Sequence, residues 1–426
     1  MKEELLQFAW LYKLYTQVEL LTDTNERIEV IDPGQLNHNS GPDFFNAKVI
    51  IDGTLWVGNI EIHALSSEWI RHKHNTNRQY NNVILHVVHY NDQPTYNELG
   101  TRIPTLEMQI SSSLLNEYNS LLRQVTAIPC GKNLYKINEI YLISWLTTLL
   151  YGKLEKKYDT ICDLLLRNQN NWNETFYVLL SRNFGFGINN EPFELLAKSL
   201  PFNKILKHAD NPFQVEALLF GQAGFLDEIL AEDDYYNELH KEYLFLANKY
   251  KLTPLEKHIW RFMRLRPNNF PTVRIAQFCN LLTKQHGMLS KILDAKTINE
   301  IHDLLDTEAN DYWTYHFRFN VASKSSPGTK HLGNASKTLI ILNTIVPFLF
   351  AYGKSTDDES IISRALNLLE KIKPEKNSIV KRWIALNIKP ENAFQSQALI
   401  YLYNNYCKVK KCLSCQIGHQ ILTKEG

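Results

Sequence analysis

A chain of 426 residues is long enough for two or three hydrophobic cores. Hydrophobic residues make up 44% and charged residues 21%, which sets aside a disordered chain, and 46 basic against 45 acidic side chains leave a net charge of +1. That balance excludes a global field drawing the whole protein to nucleic acid or membrane, and six cysteines are too few for a disulfide framework in so long a chain.

The start, MKEELLQFAWLYKLY, is charged and amphipathic, unlike a signal peptide. No stretch reaches the ~18 consecutive apolar residues of a membrane span, so no membrane partner and a cytoplasmic location are expected. Leu5, Phe8, Tyr12 and Tyr15 recur at helical spacing and predict a helix over 2–20 with these residues as its buried stripe. The period then changes to two. RIEVID (27–32), FFNAKVII (44–51), LWVGNIEIH (55–63), VILHVVHY (83–90) and RIPTLEM (102–108) read as strands. Asp52-Gly53 marks a hairpin between the second and third, and SSEWIRHKHNTNRQYNN supplies a short helix and loop before the fourth.

Beyond about Ser111 the pattern is helical, with apolar residues at three- and four-residue steps over 141–166. Further helices are expected at 173–183, 191–199, 212–222, 235–251, 255–264, 271–285, 335–352, 358–371 and 393–406. The run TLIILNTIVPFLFAYG (338–353) reads as a buried helix, because Asn343, Thr344 and Pro347 interrupt it. SKSSPGTKHLGNASK (323–337) has the composition of a mobile loop. The fold class is therefore α+β, with an N-terminal mixed-sheet domain at 1–125, an all-helical domain at 126–400 and a cysteine-containing segment at 401–426.

The stretch richest in chemistry is Asn39-Ser-Gly-Pro-Asp43, followed by the hairpin and then Gly58-Asn-Ile-Glu61-Ile-His63. Side chains alternate along a strand, so Glu61 and His63 share a face, with Asn59 beside them. Asp43 opens the neighbouring strand. Two carboxylates on adjacent strands suit Mg²⁺ or Mn²⁺, with water and a substrate phosphate completing the shell. The plainer alternative is a Gly-Pro-Asp turn and a solvent-facing Glu and His.

Pro42-Asp43, a hairpin and Glu61-Ile62-His63 together resemble the signature of the PD-(D/E)XK phosphodiesterase superfamily, with His63 where lysine is usual. The resemblance covers roughly the first 110 residues. It implies a restriction-endonuclease-like sheet, a metal held by Asp43 and Glu61, a further acid on the leading helix at Glu4, and nucleic acid as substrate. His63 is not a permanent cation, so a degenerate, non-catalytic scaffold binding nucleic acid or protein is the alternative from a different class. The whole chain also resembles an uncharacterised bacterial family, domain of unknown function 2851, through NSGPDFFNAKV, GNIEIHALSSEW, YNNVILHVV, RNFGFGINNEPFELLA, LRPNNFPTVRIAQF and the C-terminal cysteines.

Six of the fourteen histidines, His38, His63, His72, His74, His86 and His89, fall in the first 90 residues. A zinc hydrolase built on His63, His72 or His74, and His86, with Asp43 or Glu61 as ligand or base, is a third reading. Against it, His86 sits in an apolar strand, where a hydrogen-bonded core histidine is the commoner outcome.

Cys407, Cys412 and Cys415 crowd the C-terminal segment, with Cys412 and Cys415 as a Cys-x-x-Cys pair that suits Zn²⁺ or an iron–sulfur cluster. Either His419 or the distant Cys130 supplies a fourth ligand. Some members of the resembled superfamily join one early and three late cysteines around a [4Fe–4S] cluster, with a different spacing. Reduced thiols or a redox pair are the alternative. Cys162 and Cys279 sit in apolar helical contexts and read as small hydrophobes. Arg261, Arg264, Arg266 and Arg274 alternate with aromatics, as a nucleic-acid surface or, more simply, as arginines paired to acids.

Overall fold

The structure, a computed structural model, describes residues 2–37, 39–227, 232–284, 287–323 and 327–423. His38 and part of the expected 323–337 loop lie outside the described residues. The fold is mixed α+β, and the chain divides into two units. The first contains 1–146, 381–388 and 400–426, and the second 147–380 and 389–399. The boundary expected at 125 thus falls twenty-one residues later, at 146, and the C-terminal segment joins the first unit.

In the first unit, helix α1 (Glu3–Leu11) buries Leu5, Leu6, Phe8, Ala9 and Trp10 and packs against the sheet. It stops nine residues before the expected end at 20. Lys13 takes the left-handed conformation (φ 53°), the amide of Leu14 donates to Ala9 O at 2.8 Å, and that of Lys13 to Trp10 O at 3.1 Å. These two bonds close a Schellman motif. Lys13 Nζ then reaches Val30 O at 2.6 Å, which holds an unusual residue in a glycine conformation.

Strands β1 (Leu20–Leu21), β2 (Arg27–Asp32), β3 (Gln35–Leu36), β4 (Phe44–Ile51), β5 (Thr54–Leu65) and β6 (Val83–Tyr90) follow, then a β7–β8 hairpin (Thr95–Tyr96, Arg102–Ile103) and β9 (Thr105–Glu107). The main sheet runs β1-β2-β4-β5-β6-β9, with β3 paired to β4. β4 and β5 are antiparallel, while β5–β6 and β6–β9 are parallel. Asp52 (φ 47°) and Gly53 (φ 78°) form the tight turn of the β4–β5 hairpin, as expected of that dipeptide. The parallel crossover from β5 to β6 carries helix α2 (Glu68–Arg71), whose Trp69 is fully buried and donates from Nε1 to Tyr96 O at 2.9 Å. Helix α3 (Ser112–Arg123) is capped by Ser111, whose Oγ accepts from Leu114 N at 3.1 Å.

The second unit is almost wholly helical. Asn171, Asn211, Asp233 and Asp358 cap the helices Trp172–Phe184, Pro212–Gln222, Asp234–Tyr250 and Glu359–Lys371. The run 334–356 is helical with a π turn at Ile341–Ile345, just before Pro347. A wider turn relieves the clash of the proline ring with the carbonyl four residues back. By length and composition this helix is apolar enough to cross a membrane, but 67% of its most apolar window is buried within the protein.

Two expectations fail here. Residues 255–264 are a 3-10 turn (Lys257–Ile259) and extended chain, because Trp260 is drawn inward to donate to Ala223 O at 2.7 Å. Val321–Ala322 pairs with His316–Arg318 as a hairpin that the helical pattern did not announce. Arg274 is buried, bonded to Gln277, Asn269 and Ser336 and stacked 4.2 Å over Phe186, so it is structural; Arg261, Arg264 and Arg266 are exposed.

Candidate functional site

The β4–β5 hairpin sets the centre of the site. Phe44 pairs with Ile60 and Ala47 with Gly58, so β4 holds one extra residue between the two pairs. Asn46, left-handed at φ 57°, absorbs it as a bulge. Beyond the bulge Asp43 lies against Glu61. The backbone amide of Asp43 donates to Glu61 Oε2 at 3.0 Å, and that of Ile62 donates to Asp43 Oδ2 at 3.0 Å. From α1, Gln7 Nε2 donates to Asp43 Oδ1 at 2.9 Å.

Glu61 and His63 share one face of β5, as alternation requires, and both are buried, at 5% and 1% exposure. Glu61 is in register with His86 on β6. His63 Nδ1 lies 2.8 Å from His86 Nε2, and His63 Nε2 lies 3.2 Å from His72 Nδ1. The crossover delivers two more rings. Lys73, at φ 61°, reverses the chain between His72 and His74, and His74 Nε2 comes within 3.2 Å of Glu61 Oε1. His74 stacks on Tyr80 with centroids 3.8 Å apart. Ring nitrogens of His63, His72 and His74 lie within 4.8 Å of one another.

Electrostatics mark the same place. Burial, then the charge of Glu61, pushes the Asp43 carboxyl up to about 7. Burial, aided by Glu3, pushes Glu61 up to about 8 against the amide of Asp43. Burial and then the neighbouring imidazoles hold His63 down to about 2, and burial and His74 hold His86 down to about 3. One buried and one half-buried acid thus lie among the rings of His63, His74 and His86, which burial keeps from protonating. The second nitrogens of His74 and His86, both Nδ1, are buried without a hydrogen-bond partner.

The donor set fits a divalent cation. Carboxylate oxygens and imidazole nitrogens converge from β4, β5 and the crossover, and an ion would stabilise the ionised acids without charging the rings. The expected helical acid is corrected by one residue. Glu4 is exposed and its charge bears on Tyr118. Glu3 is the acid whose charge reaches Asp43 and Glu61, and Gln7, one turn on, touches Asp43. Gln7 carried no sequence signal beyond its i, i+4 spacing from Glu3. His89 is not in the group of rings within reach of one another.

Residues 3–378 match a family described as a protein of unknown function, DUF2851. The chain belongs to this family. The match to DUF2851 takes in Asp43, Glu61, the three histidines and Cys130, and ends before Cys407, Cys412 and Cys415. No curated protein and no solved structure matches.

Proposed function

We propose that the protein is a metal-dependent phosphodiester hydrolase acting on DNA or RNA. The observation that carries this reading is the pairing of half-buried Asp43 with buried Glu61, two carboxyls from adjacent strands that accept from each other's backbone neighbourhood and are both held well above their ordinary range. The order of elements supports it: a leading helix, a Pro42-Asp43 strand start, a hairpin, Glu61-x-His63, and a helical crossover to a parallel strand. This order resembles the PD-(D/E)XK superfamily and its restriction-endonuclease-like sheet.

Asp43 and Glu61 would hold Mg²⁺ or Mn²⁺. The ion would polarise the scissile phosphate and lower the pKa of a bound water. Gln7 and the amide of Ile62 fix the Asp43 carboxylate, so its orientation does not depend on the substrate. His63 and His74, on either side of Glu61 Oε1, stand in place of the usual lysine and would orient the attacking water or the phosphate. A neutral ring offers a lone pair that can accept a hydrogen bond from that water and so orient it, which a lysine ammonium cannot do.

A second reading is favoured by one observation, the mutual approach of His63, His72 and His74, whose nitrogens are the donor type preferred by Zn²⁺. Cleavage of labelled single- and double-stranded DNA and RNA, with Mg²⁺, Mn²⁺ or Zn²⁺ added to metal-free protein, separates the two. Mg²⁺- or Mn²⁺-dependent cleavage lost in Asp43→Ala and Glu61→Ala supports the carboxylate centre. Zn²⁺-dependent turnover lost in His72→Ala moves the reading to the histidines. A folded protein that cleaves nothing with any of the three ions leaves a binding scaffold.

A further inference from the structure

Outside the carboxylate centre, the first unit also holds the free and buried thiols of Cys130, Cys407, Cys412 and Cys415. Cys130 and Cys415 stand immediately before the 3-10 turn Gly131–Lys136 and the C-terminal helix Gln416–Thr423, which pack on one another. The ring of His419 lies on Tyr12 at 4.0 Å and Phe8 at 5.6 Å between centroids. These contacts read as packing. The second unit offers something different: a cleft of about 620 Å³, a size that suits a small-molecule ligand.

Four helices wall the cleft. Lys157, Thr160, Leu164 and Arg167 line it from the helix Glu139–Arg167, at the three- and four-residue steps of one helix face. Arg182 and Asn183 come from Trp172–Phe184, Glu194 and Lys198 from Asn190–Ser199, and Asn343 and Thr344 from the π turn of the 334–356 helix. Lys157, Arg167, Arg182 and Lys198 set four positive charges in the lining against two acids, Asp163 and Glu194. Arg182 Nη1 and Lys198 Nζ share Glu194. Lys157 and Arg167 make no ion pair among the described residues.

Three local irregularities fall on this same lining. The first is the π turn itself, a feature that often marks a functional site. The second is Thr344, which is 1% exposed and whose Oγ1 has no hydrogen-bond partner. Elsewhere on this helix Thr338 Oγ1 donates to Asn334 O and Thr356 Oγ1 to Tyr352 O, each at 2.9 Å. A buried hydroxyl left without such a bond is unusual. The third is Phe186, left-handed at φ 44°, a conformation that a bulky residue keeps only where its surroundings impose it. Arg274 covers one face of its ring at 4.2 Å.

We propose that this cleft binds a nucleoside monophosphate. The excess of positive charge selects an anion, with Lys157 and the remaining guanidinium donors of Arg182 meeting the phosphate. Phe186 gives a planar base a surface to stack on. The Thr344 hydroxyl and the amides of Asn183 and Asn343 supply polar partners for the sugar and the base edge. The proposal is independent of the hydrolase reading, because no residue of the cleft belongs to the carboxylate centre.

The test is a calorimetric titration of the full-length protein, kept in EDTA, with AMP, GMP, CMP and UMP, and with inorganic phosphate and adenosine as the separate parts. At least one nucleotide should bind saturably, one to one, and about tenfold or more tighter than either part. Lys157→Ala and Thr344→Val should each weaken it by about tenfold. Thr344→Val removes a hydroxyl that has no partner in the free protein, so its Tm should not fall and lost affinity is not lost folding. Phe186→Leu should weaken the nucleotide and leave inorganic phosphate unchanged. Asp43→Ala should bind as the wild type does, which separates this cleft from the carboxylate centre. No saturable binding at millimolar nucleotide, or binding that Asp43→Ala abolishes and Lys157→Ala does not, overturns the proposal. Inorganic phosphate binding as tightly as the nucleotides would overturn it too.

Discussion

Glu61 in the first unit and Glu216 in the second are both buried carboxyls, at 5% and 6% exposure, and burial pushes them up to about 8 and about 7. Their neighbours differ. Glu216 is met by Tyr235 Oη at 2.7 Å and Asn310 Nδ2 at 2.7 and 2.9 Å, so donors account for both of its oxygens. Tyr312 and Asp233 extend that network, with Asp233 also accepting from Asn320 N at 3.0 Å. Glu61 has a backbone amide on one oxygen, and otherwise faces a second acid and the rings of His63 and His74, of which His74 keeps a buried Nδ1 without a partner. Burial alone does not make a site. What separates the two is whether the surrounding donors close the network or leave it open.

The sharpest way to break this comparison is to neutralise each acid. Asp43→Ala or Glu61→Ala should lower metal-dependent cleavage by about 10²-fold or more, while Glu216→Gln should leave kcat within about two-fold, a factor worth only ~0.4 kcal/mol of barrier. Equal loss in all three would show that the effect is one of folding. Metal affinity comes next. His74→Ala should weaken Mn²⁺ binding by roughly 10–100-fold in a calorimetric titration. An unchanged affinity would remove His74 from the centre. The closed network should respond in stability: Tyr235→Phe strips Glu216 of a donor and should cost about 1–3 kcal/mol in urea unfolding, with cleavage intact.

The smallest effect is one of pH. Asp43 and Glu61 titrate near 7 and 8 in the folded state against ordinary values of 3.8 and 4.5, so the folded protein binds more protons than the unfolded chain between those limits. Stability therefore falls as pH rises through that range. His63 and His86 act in the opposite sense below 6.5, where unfolding lets them protonate. The clear window is pH 6.5 to 8, where the carboxyls act without the histidines. Over it the Tm of the metal-free protein should drop by a few degrees more than that of the Asp43→Asn, Glu61→Gln double variant, a shift of the size that ~1 kcal/mol produces. Parallel curves would mean that the two carboxyls are already compensated.

Much of the first unit could be read from residues. Asp52-Gly53 announces the hairpin, and alternation puts Glu61 and His63 on one face, because both rules depend on neighbours in the chain. The histidine group was visible only as candidates. Its assembly depends on Lys73 adopting a left-handed conformation that lysine rarely takes, so nothing in the composition marks it. The end of α1 was missed for the same reason at Lys13. Glu3 was missed in favour of Glu4 because the apolar stripe of α1 is wide. With Leu5, Leu6, Phe8, Ala9 and Trp10 all buried, its polar flanks are ambiguous in phase. Residues 255–264 keep a helical pattern but follow Trp260, whose pull toward Ala223 is a long-range contact.

The packing of His419 on Phe8 and Tyr12 also has a meaning in time. During synthesis the first helix leaves the ribosome long before the segment that covers it, by roughly 20 to 80 s at the usual ~5–20 residues per second. Through that interval the sheet can pair, since its strands are neighbours in sequence, but the aromatic face of α1 and the thiol of Cys130 wait uncovered. The first unit is thus begun first and finished last, and a nascent chain stalled before Cys407 would carry an assembled sheet with its leading helix unlatched.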